Sequence, residues 1–259
     1  MRQSTVKNKK RGPRSAISPF RGHGRFAAVI PVYNHEEMVA QVVRRALALR
    51  IPVIVVDDGS TDGSYEQIKD IKGIVVLRHK TNRGKGAALL SGFAEAVRHA
   101  DWVLTIDADG QHDPADGLTL ARAIPAGSRP IVVGARKGML SPDVPWTSRF
   151  GRGFSNFWVR ASGGPKITDS QSGLRLYPLP ETLSLPVRAR RFQFEVEVLV
   201  RAQWRGIPVI EAPISVSYTP GGERISHFRP FVDFMRNSSA FTRLIATRIF
   251  VPRVFRSCG

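Results

Sequence analysis

The sequence predicts an α/β domain on a mostly parallel sheet, and three observations predict it. From Phe26 onward, short apolar runs alternate with segments of helical periodicity. Parallel neighbours need a crossover, so that alternation reads as right-handed βαβ units. The chain has 259 residues, 42% of them hydrophobic, which suits one domain with a buried core. Three apolar runs end in polar clusters, "PVYNH", "DDGSTD" and "DADGQH". In open parallel sheets ligands collect outside the carboxyl ends of the strands, where all three clusters fall.

Each element follows in order. "RFAAVIPVY" reads as a buried strand. "EEMVAQVVRRALALR" places Met38, Val39, Val42, Val43, Ala46, Leu47 and Leu49 at helical spacing. "IPVIVVDDGSTDGS" is a second strand ending in an acidic turn, "SYEQIKDI" a helix, "GIVVLRH" a third strand, and "GKGAALLSGFAEAVRHA" a helix opened by glycines. "DWVLTIDADG" supplies the fourth strand. A helix near Gly117–Ile124 and a short strand "PIVVGAR" come next, then the Gly/Arg/aromatic segment "WTSRFGRGFSNFWVRASGG". "QSGLRLYP", "FQFEVEVLVRAQWRG" and "IPVIEAPISVSY" read as strand, helix and strand. No long internal repeat is present.

The formal charge of +18 is the strongest compositional signal and points to a polyanionic partner: nucleic acid, anionic lipid or phosphorylated substrate. Eight basic residues from Arg2 to Arg25 precede the first acidic one, Glu36, so residues 1–25 read as a disordered basic arm. No helix-turn-helix, zinc finger or RNP-like motif accompanies the charge, which disfavours a nucleic-acid binder. The single cysteine, Cys258, leaves no disulfide framework and suits a reducing compartment. No run reaches about 18 apolar residues, and the start lacks a signal-peptide core, so a cytoplasmic protein is expected.

Asp107 and Asp109 stand two apart at a strand end, a spacing that lets two carboxylates aim at one point. Carboxylate and amide oxygens suit a hard divalent cation, Mg²⁺ or Mn²⁺, and Gln111 adds an amide oxygen. The same residues also make an ordinary turn; the company of two other polar strand ends favours a metal. His112 reads as a surface or supporting group, because a hard oxygen site has little use for imidazole. Asp58 can accept bonds from a base or ribose, while the STDG after it reads mainly as turn and helix cap. In "NRGKGAALLSG" glycines precede a helix with Lys85 at its mouth, a phosphate-cradling pattern without the full Walker A spacing or the dinucleotide fingerprint.

Taken together, "VIPVYN", "VVDDGSTDGS", "NRGKGAAL", "DADGQHDP", "VGAR" and "DSQSGLRLYP" resemble the inverting GT-A glycosyltransferases of family 2. Within them the likeness is to the dolichol-phosphate mannosyltransferase-like, polyprenyl-phosphate branch. It covers Phe26 to Pro230 and leaves both tails outside. The resemblance implies a Rossmann-like GT-A fold and a metal-dependent transferase using a nucleotide-diphosphate sugar and Mg²⁺ or Mn²⁺. Pro31, Tyr33 and Asp58 match positions around the nucleoside, and Asp107, Asp109 and Gln111 match the metal group. His35 stands where a Glu is common, with Glu36 and Glu37 just after it, so Glu36 is a candidate substitute. Arg136 matches a lipid-phosphate arginine of a "GSR"-like motif, and a second arginine corresponds to Arg149 or Arg152. The counterpart of a third is Thr219, with Arg224 as a nearby replacement. Glu197 matches a recurring Glu, and could equally be a structural partner for an arginine.

The acceptor sets the catalytic requirement. An ionised phosphate needs no general base, whereas a hydroxyl on a glycan or lipid-like product usually does, and Asp169 in "ITDSQSG" is the first candidate. Bonding its own loop backbone is an equally good role for Asp169. Residues 231–259 set Phe234, Phe241, Leu244, Ile245, Ile249 and Phe250 among arginines, the composition of an interfacial amphipathic helix that breaks at Pro252. The same stripe could instead pack on the catalytic domain. A lipid-linked acceptor and two basic ends favour a peripheral seat on the inner face of the cytoplasmic membrane.

Overall fold

A computed structural model describes residues 20, 22–137, 146–215 and 230–252. The strands are β1 (Phe26–Val32), β2 (Val53–Asp57), β3 (Ile74–Arg78), β4 (Trp102–Thr105), β5 (Ile131–Arg136), β6 (Arg175–Pro178) and β7 (Val209–Ile214). The helices are α1 (Val39–Leu47), α2 (Ser64–Ile68), α3 (Lys85–Ala96), α4 (Gly117–Arg122), α5 (Trp146–Ala161), α6 (Phe194–Trp204) and α7 (Pro230–Phe250).

All seven strands join one sheet in the order β3-β2-β1-β4-β6-β5-β7. β6 runs antiparallel to β4 and β5, and the remaining pairs are parallel. The predicted α/β class and mostly parallel sheet are met. β1 is buried along its whole length because it lies between β2 and β4 with a core on each face. α3 approaches β1 closely at Gly92, where a Cβ would lie 2.4 Å from Val29 Cγ1. That contact seats α3 so that its first residue, Lys85, stands at the ligand edge.

Three details differ from the sequence expectation. The Gly/Arg/aromatic segment forms helix α5, whose Ser155 and Val159 are buried. The expected N-terminal arm is anchored at its inner end: Phe20 is buried against Phe26, and Trp102 Nε1 donates to the His23 carbonyl at 2.8 Å. In α7, Phe241 and Leu244 are buried with Val159, Val196 and Val200, and Trp158 stacks on Phe241. Burying a side chain of that size is worth roughly 1.5–3 kcal/mol, enough to commit this part of the stripe to the domain. Ile249 and Phe250 at the end of α7 stay exposed. None of the described helices is long and apolar enough to cross a membrane.

Candidate active site

The ends of β1 and β2 are laced by short polar side chains. Asn34 takes φ 54°, a left-handed conformation that Asn tolerates, and its Oδ1 accepts from Thr61 N at 2.8 Å. Ser60 Oγ accepts from Asn34 N, Ser64 Oγ from His35 N, and Glu36 Oε2 from Gly63 N at 2.7 Å. The Glu36 carboxylate therefore holds the STDG turn. Pro31 is buried within β1 opposite Val56, and Tyr33 is half-buried just beyond the strand.

Asp58 is buried, and its oxygens meet three protein groups. Oδ1 accepts from Arg83 N at 3.0 Å and lies 2.6 Å from His79 Nδ1; Oδ2 accepts from Gly84 N at 2.7 Å. The carboxylate thus organises the turn that opens α3. Ala87 N is likewise taken, by the Arg190 carbonyl at 2.8 Å. With these backbone donors spent on protein, Lys85 brings the positive charge at this helix mouth.

β4 ends at Thr105, and the chain turns so that Asp107 and Asp109 follow it. Asp107 Oδ1 lies 2.7 Å from Lys85 Nζ, which also reaches Glu195 Oε1 at 2.8 Å. Gly173 forms the opposite wall, since a Cβ there would stand 1.9 Å from Asp107 Oδ2. Asp109 Oδ1 accepts from Gln111 N at 3.0 Å. Burial opposes the charge on Lys85, but the carboxylates of Asp107 and Glu195 outweigh it and raise its pKa. Burial works against the Asp107 charge too, and Lys85 more than offsets it and lowers the pKa. Asp109 makes no ion pair among the described residues: burial and the neighbouring Asp107 push its carboxyl up, against a weaker pull from Lys85.

His112 is not at the surface. It is only 4% exposed, and its Nδ1 has no hydrogen-bond partner among the described residues. Burial lowers its pKa despite Asp107 and Asp109, with Arg136 acting in the same direction. The turn rolls it inward because Asp113 caps the 3-10 turn Pro114–Asp116 and pairs with Arg45 at 2.8 Å.

The residues present fit a hard divalent cation. Asp107 and Glu195 share the Lys85 ammonium, Asp109 has no ion-pair partner among the described residues, and the donors are oxygens. Asp107, Asp109 and the Gln111 amide would hold it.

Arg136, at the end of β5, meets Asp169 in a two-point ion pair, Nε to Oδ2 at 2.7 Å and Nη2 to Oδ1 at 2.8 Å. Asp169 is positioned by Glu211 of β7, which accepts from Asp169 N and from Thr168 N. α5 is tied to the same loop, Asn156 Oδ1 accepting from Ser170 N and Ser155 Oγ lying 2.8 Å from Ser170 Oγ. Arg149 and Arg152 precede Asn156 by seven and four residues, so they stand on this loop-facing side of α5; Arg149 is exposed and Arg152 half-buried. Thr219 and Arg224 lie outside the described residues.

Comparison with known proteins decides the family. The model described as "Glycosyl transferase family 2" matches residues 27–177. The chain belongs to glycosyltransferase family 2. A UDP-N-acetylglucosamine–dolichyl-phosphate N-acetylglucosaminyltransferase of Methanococcus voltae is 32% identical over 74% of this chain and 85% of its own. A polyprenol monophosphomannose synthase of Mycolicibacterium smegmatis is 30% identical over 74% of this chain and 77% of its own. Among solved structures, glucosyl-3-phosphoglycerate synthase of Mycobacterium tuberculosis, in complex with Mn²⁺, UDP and phosphoglyceric acid, superposes with a TM-score of 0.68. It is 19% identical, covering 91% of this chain and 82% of that one, which shows the shared GT-A fold.

In this family 2 glycosyltransferase the sequence reading overlooked Glu195. It weighed Glu197 alone, as a family match or an arginine's partner, but residues two apart on a helix face different ways, so one of the pair reaches the site and the other does not. Glu195 meets Lys85, whereas Glu197 is fully buried behind it, bonded to Arg201 at 2.7 Å, Arg243 at 2.9 Å and Ala189 N. Arg175 was also passed over: fully buried in β6, it donates to the carbonyls of Ser170, Ser172 and Glu195 and so joins the Asp169 loop to α6. An arginine inside the apolar strand "LRLYP" was the available signal.

Proposed function

We propose that this glycosyltransferase moves a sugar from a nucleotide-diphosphate donor to a polyprenyl-type lipid phosphate, with inversion, at the inner face of the cytoplasmic membrane. The observation that carries the reading is the juxtaposition on one sheet edge of the Asp107–Asp109 turn and Lys85, after β4, with Arg136 at the end of β5, a strand that runs the same way. One end offers a seat for a metal-bound diphosphate and the other a guanidinium for a second anion.

Mg²⁺ or Mn²⁺, when bound, neutralises charge on the departing diphosphate. Lys85 adds a second positive charge where that negative charge grows, and the buried site strengthens it. Pro31 and Tyr33 border the nucleoside, and Asp58 holds the turn beneath it. Arg136, with Arg149 and Arg152 of α5, holds the acceptor phosphate so that its oxygen attacks the anomeric carbon opposite the leaving oxygen. The acceptor arrives ionised, so no residue has to remove a proton. That agrees with Asp169, both of whose oxygens are engaged by Arg136.

A membrane seat is supported by Phe157, 63% exposed on α5, and by Ile249 and Phe250, 68% and 81% exposed on α7, with exposed Arg160 and Arg248 on the same two helices. Basic residues near an anionic surface contribute about 1 kcal/mol each. The test incubates the protein and Mn²⁺ with a panel of radiolabelled nucleotide sugars and either dolichyl phosphate, undecaprenyl phosphate or lipid alcohols. Label in a mild-acid-labile lipid phosphate, lost in Asp109→Ala, is expected. Transfer to the alcohols alone would overturn the acceptor assignment.

A further inference from the structure

The acidic pair already meets a cation that belongs to the chain. Lys85 Nζ touches Asp107 at 2.7 Å and Glu195 at 2.8 Å, and its side chain is only 16% exposed. A divalent cation between Asp107 and Asp109 would occupy the same electrostatic niche, and two cations a few ångströms apart in a poorly hydrated site repel. Gly173 lies close to the other oxygen of Asp107 and confines the carboxylate on that side. Glu195 is anchored independently, its backbone carbonyl held by Arg175 Nη1 at 2.7 Å. It stands at the first turn of α6, so its backbone is fixed independently of what Asp107 binds.

We propose that Lys85 is a place-holder cation. It neutralises Asp107 before the metal arrives, yields that carboxylate to the metal, and stays in the site because Glu195 retains it. Its released face then meets the donor diphosphate, an anion that the amides of Gly84 and Ala87, already spent on protein, do not hold. Glu195 is thus a positioning residue acting through Lys85. This inference rests on the assignment of Asp107 and Asp109 to the donor's cation.

The test is Mn²⁺ titration of the nucleotide-free full-length protein, read as loss of the free-Mn²⁺ electron paramagnetic resonance signal. Lys85→Met removes the competing charge and is expected to tighten Mn²⁺ binding about tenfold, the change given by about 1.4 kcal/mol of relieved repulsion. Lys85→Gln, which keeps a hydrogen-bond donor, gives the same sign with smaller size. Glu195→Gln is expected to act oppositely: Lys85 loses its second charged partner, stays on Asp107, and Mn²⁺ binds more weakly. Lysine variants that bind Mn²⁺ no more tightly than the natural protein overturn the proposal, as does a Glu195→Gln variant that tightens it. A parallel titration with UDP present separates the two levels. Mn²⁺ uptake with UDP but no effect of the lysine variants removes the place-holder alone; no uptake in any protein removes the metal assignment with it.

Discussion

Arg136 and Asp169 grip each other through two nearly equal bonds, Nε to Oδ2 at 2.7 Å and Nη2 to Oδ1 at 2.8 Å, at the sheet edge where β5 ends. The arginine comes from a strand end and the aspartate from a loop that Glu211 holds by two backbone amides. The pair is nearly dry, with side-chain exposures of 11% and 1%. Sequence reasoning placed Arg136 on an acceptor phosphate and held Asp169 ready as a base; the fold makes them partners.

Removing one member of such a pair strands the other. Asp169→Ala is expected to lower the unfolding free energy by about 3 kcal/mol in urea titration. The milder Asp169→Asn should raise KM for the lipid phosphate more than it lowers kcat and leave the shape of the pH profile alone. A fall in kcat beyond about 10²-fold with loss of the acidic limb would show that Asp169 moves a proton.

Gly173 is a purely steric test. A methyl group there would enter the Asp107 carboxylate, with Oδ2 at 1.9 Å and Cγ at 2.4 Å. Gly173→Ala is expected to push Asp107 off its partner and cut Mn²⁺ affinity by about tenfold or more, on the scale of a displaced charged ligand. Isothermal titration with unaltered affinity would mean that Asp107 does not hold the metal.

Asp109 links the site to pH. Burial and Asp107 raise its pKa, so the folded state binds the proton more tightly than the unfolded one. The stabilisation is present below the ordinary aspartate pKa of about 3.9 and is lost as pH rises through the raised folded value. At neutral pH the metal-free Asp109→Asn variant should therefore melt about 2–4 °C higher than the natural protein, the size of shift expected for about 1 kcal/mol. It should also lose the further rise that Mn²⁺ produces. An Asp109→Asn variant that melts lower and still responds to Mn²⁺ would contradict both the charge argument and the ligand assignment.

Glu197 joins α6 to α7 through Arg201 and Arg243. Glu197→Gln leaves two guanidiniums facing a neutral group and is expected to cost about 3 kcal/mol and open α7 to protease. Arg243→Ala, half-exposed at 38%, should cost no more than about 1 kcal/mol. Equal losses for the two variants, read by denaturant midpoint, would argue against a buried Glu197 hub.

Much of this was legible along the chain. Apolar runs such as "FAAVIPV" and "VIVVD" marked strands buried on both faces, and polar residues crowding their ends marked the ligand edge before any contact was known. Asp107, Asp109 and Lys85 were therefore named from sequence, and Asp107 and Lys85 pair at that edge. Helix α5 was harder: two glycines and several aromatics blur its period, and what holds it are distant partners, the 168–170 loop and Phe241 of α7.

What the sequence determined by itself was the class of sheet, the ligand edge and the acidic pair, because strand pattern and strand-end chemistry are local properties. Only the tertiary structure decided how charges pair. It set Lys85 between Asp107 and Glu195, gave Arg136 to Asp169, turned His112 inward, and sent Glu197 to α7 rather than to the site. These partners lie between 22 and 110 residues apart in the pairs that matter most, Asp107 with Lys85 and Lys85 with Glu195. A buried charge needs a specific neighbour in space, and nothing in the local pattern names one so far away along the chain.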